Sequence, residues 1–240
     1  MTLDKKHSIN NILEENRLFP PSKEFSDKAN IKSFEELQSL KKQSLENPTK
    51  FWEYFANLEI DWFEPFQTVL DRENAPFFKW FKEGKLNISY NCLDRHIKKG
   101  IGNKTALLWE GEPGDSKKYT YKELLKEVCK AANALKGLGI KKGDLVCIYM
   151  PMIAEAMIAM LACARIGAPH SVVFGGFSSE ALKDRLIDGN VKFVITADGG
   201  FRKDKVIALK NAVDAAIKSE ANNIVEKVIV VQRTKKIFRW

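Results

Sequence analysis

The second half of the chain alternates short apolar runs with amphipathic segments. Four apolar runs have the length and composition of buried strands: residues 144–150, 170–174, 191–197 and 226–231. Helical spacing is found between them, over residues 152–166, 178–189 and about 207–219. Pro151 and Ser178 are start signals for two of these helices, and Gly167 is a stop signal. The alternation predicts an α/β fold with a doubly wound parallel sheet flanked by helices.

The first part of the chain has a different pattern. Residues 1–32 are polar and predict a loose arm, whereas residues 33–58 have helical spacing that is interrupted at Pro48. In residues 51–81, 11 of the 31 residues are Phe, Trp or Tyr, and no basic pattern interleaves them. We therefore expect these rings to pack against a larger body rather than to stack on nucleic-acid bases.

The connection between the two patterns contains several local signals. Residues 86–99 predict a helix that ends at Gly100, residues 105–112 predict a strand, and residues 112–117 predict a turn. Thr120 and Glu123 form the T-x-x-E pattern of a capping box at the start of a further helix, which Gly137 and Gly139 end. We expect three segments: an arm (1–32), an N-terminal extension (33–92) and a sheet domain (93–240).

The charge of the chain is basic and uneven. The net charge of the 240 residues is +8, and after residue 92 there are 26 Lys and Arg against 16 Asp and Glu. This excess is consistent with an anionic partner. A nucleic acid is one such partner, but the basic residues are spread over helices rather than clustered with aromatic residues, so we expect no nucleic-acid binding.

The chain shows no sign of secretion or membrane insertion. Its four cysteines are widely separated: Cys92, Cys129, Cys147 and Cys163. They form no C-x-x-C pair, so we expect neither disulfides nor a zinc site. The N-terminus has no apolar signal-peptide region, and residues 151–168 contain charges and are short for the roughly 20 residues of a membrane span. We therefore expect a cytoplasmic protein with no membrane partner.

Two glycine pairs follow predicted strands. The first is Phe174-Gly175-Gly176-Phe177, and the second is Gly199-Gly200, which precedes Arg202, Lys203 and Lys205. In a parallel sheet both would lie at the same rim, where ligands bind. Bare backbone beside rings and cations suits a ligand with a flat ring and phosphates. In the alternative interpretation the pairs are tight turns and the cations are solvated. The patterns G-x-x-x-x-G-K-[ST] and G-x-G-x-x-G are absent from the chain, and its histidines show no metal-binding spacing.

Several segments together resemble a known family. They are FWEYFANLEIDWFEPF, KLNISYNCLDRH, ALLWEGE, YTYKELLKEVCKAANAL and the stretch from KKGDLVCIYM to HSVVFGGFSSEALKDRL. In this order they are similar to the AMP-forming acetyl-CoA synthetases, which are short-chain acyl-CoA synthetases of the adenylate-forming superfamily. The combination of SYNCLDRH with HSVVFGGFS is specific to the short-chain acyl-CoA synthetases within this superfamily, and the likeness extends from about residue 30 to the C-terminus.

The resemblance implies an activity and a set of binding residues. Acetate attacks the α-phosphate of ATP with the help of Mg²⁺, which gives acetyl-adenylate and pyrophosphate, and the CoA thiol then takes the acetyl group and releases AMP. The resemblance places the nucleotide end of CoA against Phe174, Gly175 and Gly176. It also implies that a basic loop meets a CoA phosphate, and this loop consists of Arg202, Lys203, Asp204 and Lys205. Where the family commonly has arginine, this chain has Lys205, which keeps the charge but lacks the planar fork.

The resemblance also bears on the extent of the chain. The phosphate loop, the acetate pocket, the adenine-binding segment and the C-terminal domain of the family have no counterpart before Trp240. We therefore expect the N-terminal part of an acetate–CoA ligase, with no catalytic residue and no metal ligand, that is inactive alone. Two alternatives stay open: part of a propionyl-CoA synthetase, and a non-catalytic module that binds CoA.

Overall fold

A computed structural model describes residues 18–203, 205–218 and 220–235 of the chain. The chain divides into two compact units after Leu58, a point that falls inside the predicted N-terminal extension. The predicted polar arm is described only from Leu18 onward, and the rest of it lies outside the described residues.

The first unit is helical. Its helices are α1 (Lys23–Lys28), α2 (Phe34–Glu46) and α3 (Pro48–Glu59), the last of which reaches the unit boundary. The Ser33 hydroxyl accepts a hydrogen bond from the Glu36 amide and caps α2, and Pro48 begins α3. The helical spacing predicted over residues 33–58, with an interruption at Pro48, is therefore confirmed.

The second unit begins with a small hairpin and an irregular helix. Strands β1 (Thr68–Asp71) and β2 (Lys79–Lys82) pair in antiparallel fashion, and a π-helix (Tyr90–Asp94) leads into α4 (Arg95–Lys98). The rings of Trp62, Phe66 and Phe81 pack on one another, with centroids 5.1–5.6 Å apart. The helix predicted over residues 86–99 is confirmed over residues 88–98, and its π-helical part is a change of pitch that apolar spacing does not reveal.

A second hairpin precedes the sheet. It consists of β3 (Thr105–Glu110) and β4 (Ser116–Thr120), and α5 (Tyr121–Gly137) follows directly. The capping box at Thr120 and Glu123 is formed as predicted, with both reciprocal hydrogen bonds present. Strand β4 was not predicted, because its polar residues Ser116, Lys117 and Lys118 do not alternate with apolar ones.

The parallel sheet occupies the rest of the chain. Its elements in chain order are β5 (Val146–Met150), α6 (Ala154–Ile166), β6 (His170–Phe174), α7 (Ser179–Asp188), β7 (Phe193–Ala197), β8 (Gly200–Arg202), β9 (Lys205–Ile207), α8 (Leu209–Ile217), a 3-10 turn (Glu220–Asn223) and β10 (Lys227–Val231). The four predicted strands form one parallel sheet in the order β10-β7-β5-β6. The predicted α/β fold is therefore confirmed.

Helices cover both faces of this sheet. Along β5, the side chains of Val146, Ile148 and Met150 pack in the core that α5 and α6 cover. The alternate side chains Cys147 and Tyr149 pack in the core that α7 and α8 cover. Because both faces are buried, β5 is apolar at every position, as its sequence run predicted.

Two predicted boundaries were wrong, and both lie near the carboxyl end of the sheet. Helix α6 begins at Ala154 rather than after Pro151, because Ile153 has an extended backbone and precedes the first helical residue. Residues 200–207, which were assigned to a loop and the start of a helix, form the antiparallel hairpin β8–β9. These strands have three residues each, too few for a period of two to be recognised in the sequence.

Candidate functional site

The parallel strands end at a cavity of about 700 Å³. Residues that follow three of the strands line it: Pro151 after β5, Gly175 after β6 and Arg233 after β10. Other lining residues come from β3 and its turn, the start of α6, the β8–β9 hairpin and the start of α8, and they include Trp109, Glu110, Gly111, Glu112, Met152, Phe174, Gly176, Phe201, Arg202 and Leu209. This is the place where open α/β sheets bind ligands.

Most of the predicted binding residues are near this cavity. Phe174, Gly175, Gly176 and Arg202 all line it. Lys203 and Lys205 lie on the β8–β9 hairpin that contributes one wall, but their side chains are outside the lining. The remaining predicted residue, Asp204, is outside the described part of the chain.

The two adjacent glycines have different surroundings. A Cβ atom at Gly175 would lie 3.1 Å from the carbonyl oxygen of Met150, which is fixed in the sheet. A Cβ atom at Gly176 would instead meet the Phe174 ring and would lie 3.3 Å from Nη1 of Arg202. Gly175 is therefore required by the packing of the strand ends, whereas Gly176 keeps open the space between a ring and a guanidinium.

Aromatic rings at the rim lie beside cations. Phe174 is 53% exposed, and its ring meets that of Phe177 edge to face at 6.1 Å. The guanidinium carbon of Arg202 lies 5.9 Å from the Phe174 ring centroid, and that of Arg185 lies 5.1 Å from the Phe177 ring centroid. Both contacts are within the range of cation–π attraction, so each cation is held near a face onto which a flat ligand could stack.

The β8–β9 hairpin places two cations opposite each other. Arg202 and Lys205 are cross-strand partners, and both are exposed. Among the described residues neither forms a salt bridge. Like charges directly opposite on a hairpin destabilise it. A bound anion would remove this repulsion, and for this reason the pair marks the hairpin as a candidate phosphate contact.

Arg233 is a site residue that the sequence analysis did not select. Its guanidinium donates to both carboxylate oxygens of Asp115 at 2.6 and 2.8 Å. It also lies between two rings, with its carbon 5.0 Å from the centroids of Trp109 and Phe201. The paired guanidinium lowers the pKa of Asp115 below its usual value. The sequence feature that could have identified Arg233 is its position just after the fourth parallel strand, at the same rim as the glycine pairs.

Asp198 is a second residue that was not selected, although it directly precedes Gly199. Its side chain is 2% exposed and accepts hydrogen bonds from the amides of Gly199, Arg233 and Thr234 and from the Thr234 hydroxyl, all at 2.7–3.0 Å. Burial by itself would raise the pKa of Asp198, but these hydrogen bonds outweigh it and hold the pKa below its ordinary value. The buried carboxylate thus fixes the segment that carries Arg233.

Comparison with known proteins identifies the family. Residues 93–238 match the family described as AMP-binding enzyme, and residues 37–92 match the family described as acetyl-coenzyme A synthetase N-terminus. The chain belongs to the AMP-binding enzyme family. The AMP-binding match includes the whole parallel sheet and every residue that lines the cavity.

Curated relatives of this chain include acetyl-coenzyme A synthetases. The one from Campylobacter jejuni is 57% identical over 223 residues, which are 93% of this chain and 34% of the relative. Those from Methylobacillus flagellatus and Streptomyces avermitilis are 49% and 51% identical, over 97% of this chain and 36% and 34% of the relatives. The resemblance described from the sequence is thus confirmed, and the chain spans about a third of the length of the curated relatives that it matches.

The described residues contain neither a candidate membrane span nor a candidate metal cluster. Among the described residues, no helix is both long and apolar enough to cross a bilayer. The same part of the chain contains no group of three or more His, Cys, Asp or Glu side chains that could hold a metal ion. These residues do not fit a resident metal, so we assign no metal ligand among them.

Proposed function

We propose that this chain is part of an acetate–CoA ligase. In this reaction ATP and acetate give acetyl-adenylate and pyrophosphate, and CoA then takes the acetyl group and releases AMP. The family match over residues 93–238 and the relatives called acetyl-coenzyme A synthetase support this proposal. The substrates are acetate, ATP and CoA, with Mg²⁺ accompanying ATP, and we assign no catalytic residue within the described part of the chain.

The cavity at the strand ends binds the nucleotide end of CoA. The observation that carries this assignment is the cation pair of Arg202 and Lys205, which forms no salt bridge among the described residues and adjoins a cavity with an exposed ring at Phe174. Phosphate would accept hydrogen bonds from Arg202, whose guanidinium can bind two oxygens at once. The flat adenine ring would stack on Phe174, in the space that Gly176 leaves open.

A reducing, cytoplasmic compartment is part of the proposal. All four cysteines are free, and Cys147 and Cys163 are buried in the core as small apolar side chains. Persistent disulfides are typical of oxidising compartments, and the four thiols support a reducing one.

The proposal is tested by isothermal titration calorimetry of the whole chain with CoA. Arg202→Ala should weaken CoA binding by about tenfold or more, because a charge-assisted hydrogen bond contributes roughly 1.5–3 kcal/mol. Arg72→Ala is the matched control, since it removes the same charge from an exposed position in the β1–β2 loop. Pantetheine, which lacks the ring and the phosphates, should bind equally weakly to all three proteins.

Two results would overturn the assignment. One is equal loss of CoA affinity in the Arg202 and Arg72 variants, which would indicate a general effect of charge. The other is retention of full affinity by Arg202→Ala, which would place the phosphates elsewhere. In a complete ligase, Arg202→Ala should raise the KM for CoA and leave acetate-dependent ATP–pyrophosphate exchange nearly unchanged.

A further inference from the structure

Lys203, in the turn between β8 and β9, has a backbone conformation that a lysine does not favour. Lys203 follows Arg202 in this turn and has φ +48°, in the left-handed region. A residue with a Cβ atom is strained there, and glycine or asparagine is the usual choice. Such a conformation persists when surrounding structure holds it in place. The pairing of β8 with β9 and a contact from outside the hairpin can both hold Lys203 in this conformation.

Glu112 supplies the contact from outside the hairpin. Its carboxylate oxygen Oε1 accepts a hydrogen bond from the Lys203 amide at 2.6 Å, across 91 residues of sequence. An ionised acceptor makes this hydrogen bond stronger than one between neutral groups. Glu112 itself belongs to the turn between β3 and β4, and that turn is tied to the strand ends by the hydrogen bonds between Asp115 and Arg233. Glu112 therefore lies in a turn that is itself held in place.

The anchored turn determines where two cations point. Arg202 and Lys205 immediately flank the turn and are cross-strand partners, so their side chains project to the same side of the hairpin. Their mutual repulsion favours opening of the turn. The hydrogen bond that the Lys203 amide donates to Glu112 opposes this opening and keeps both cations in position to bind an anion.

We propose that Glu112 is a positioning residue that increases the affinity of the site for the phosphates of CoA. It acts through the Lys203 amide and not by contact with the ligand. The inference rests on the proposed function for its ligand, but the anchor itself can be measured without CoA. The proposed effect of Glu112 on CoA affinity is opposite to the usual one, because a carboxylate beside an anion site would ordinarily weaken anion binding.

Substitutions at Glu112 separate these two effects. Glu112→Ala removes both the charge and the acceptor, and we expect CoA affinity to fall about fivefold because the strained turn is released. Glu112→Gln removes the charge but keeps a carbonyl acceptor for the Lys203 amide, and we expect CoA affinity equal to or tighter than that of the wild type. Glu73→Ala is the matched control: it removes a carboxylate from an exposed position in the β1–β2 loop, outside the cavity lining, and CoA affinity should equal that of the wild type.

A second measurement reports on the hydrogen bond between the Lys203 amide and Glu112 in the absence of CoA. Hydrogen exchange of the Lys203 amide, recorded by NMR, should be slow in the wild type and in Glu112→Gln and at least about tenfold faster in Glu112→Ala. Equal exchange rates in all three proteins, or CoA affinity that rises in Glu112→Ala, would overturn the inference. If the wild-type chain binds no CoA, the proposed function and the ligand assigned to Glu112 both fail, while the exchange rates still decide whether Glu112 anchors the turn.

Discussion

The guanidinium of Arg233 is enclosed by three side chains: it donates to both oxygens of Asp115 and lies between the rings of Trp109 and Phe201. These contacts join three separate elements, the β3–β4 hairpin, the β8–β9 hairpin and the segment after β10. Arg233 therefore connects the walls of the cavity to one another.

Arg233→Ala should lower the melting temperature of the chain by about 2–6 °C, because it removes two cation–π contacts and leaves Asp115 without its partner. Arg233→Lys keeps the charge but cannot bind both carboxylate oxygens in the same plane, and we expect an intermediate melting temperature. Differential scanning calorimetry measures both, with the exposed Arg72→Ala as the control. A melting temperature unchanged in Arg233→Ala would show that the three elements are held together by other contacts.

The pH dependence of stability should report on Asp198. Its pKa in the folded protein lies below the ordinary value, so its contribution to stability is present above the pKa of the unfolded chain and is lost as pH falls through the folded pKa. Asp198→Asn should cost about 2–3 kcal/mol near neutral pH, because a carboxylate with several donors loses its charge.

Urea unfolding at a series of pH values tests this prediction. Between about pH 5 and pH 3 the free energy of unfolding should fall less steeply in Asp198→Asn than in the wild type. Parallel curves for the two proteins would mean that other carboxylates account for the acid sensitivity.

Elements whose limits depend on neighbouring residues were predicted from the sequence. Short strands that are held only by pairing with another strand were not. The capping box at Thr120 and the stop at Gly167 depend on neighbouring residues alone, and both are formed as predicted. Strand β4 and the β8–β9 hairpin are held by pairing with another strand, and their polar or very short sequences carry no periodic signal.

The residues of the candidate site likewise divide into those that the sequence predicted and those that it did not. Phe174 ends β6, Gly176 follows it and Arg202 lies a few residues after β7, so the rule that parallel strands end at one rim brought them together. The contribution of Trp109 and Glu112 depends on where the β3–β4 hairpin lies against the sheet. Neither spacing nor composition specifies that contact, so these residues were found only in the structure.

Thiol reactivity should follow burial. Cys92 is exposed and partial burial raises its pKa, whereas deeper burial raises the pKa of Cys147 to about 12 and that of Cys163 to about 11. Iodoacetamide should therefore modify Cys92 in the native protein and leave Cys147 and Cys163 intact, because the thiolate is the reacting form. Peptide mass spectrometry locates the label, and four thiols should react in denaturant without reductant. Fewer than four would reveal a disulfide and contradict a reducing compartment.

Alanine at the two rim glycines should separate packing from binding. In Gly175→Ala the new Cβ atom lies 3.1 Å from the Met150 carbonyl oxygen and 3.3 Å from Cδ2 of Leu209. The carbonyl cannot move without disturbing β5, so we expect a loss of about 1–3 kcal/mol in the free energy of unfolding.

In Gly176→Ala the new Cβ atom meets the ring of Phe174, which is half exposed and can rotate away. The melting temperature should then change little, whereas CoA affinity should fall about three- to tenfold, because the displaced ring no longer offers its face beside Arg202. Both variants are measured by calorimetry of unfolding and of CoA binding. Stability should fall mainly in Gly175→Ala, whereas Gly176→Ala should lose CoA affinity with little change in stability. Unfolding of Gly176→Ala as severe as that of Gly175→Ala would make both glycines packing residues and remove Gly176 from the proposed binding site.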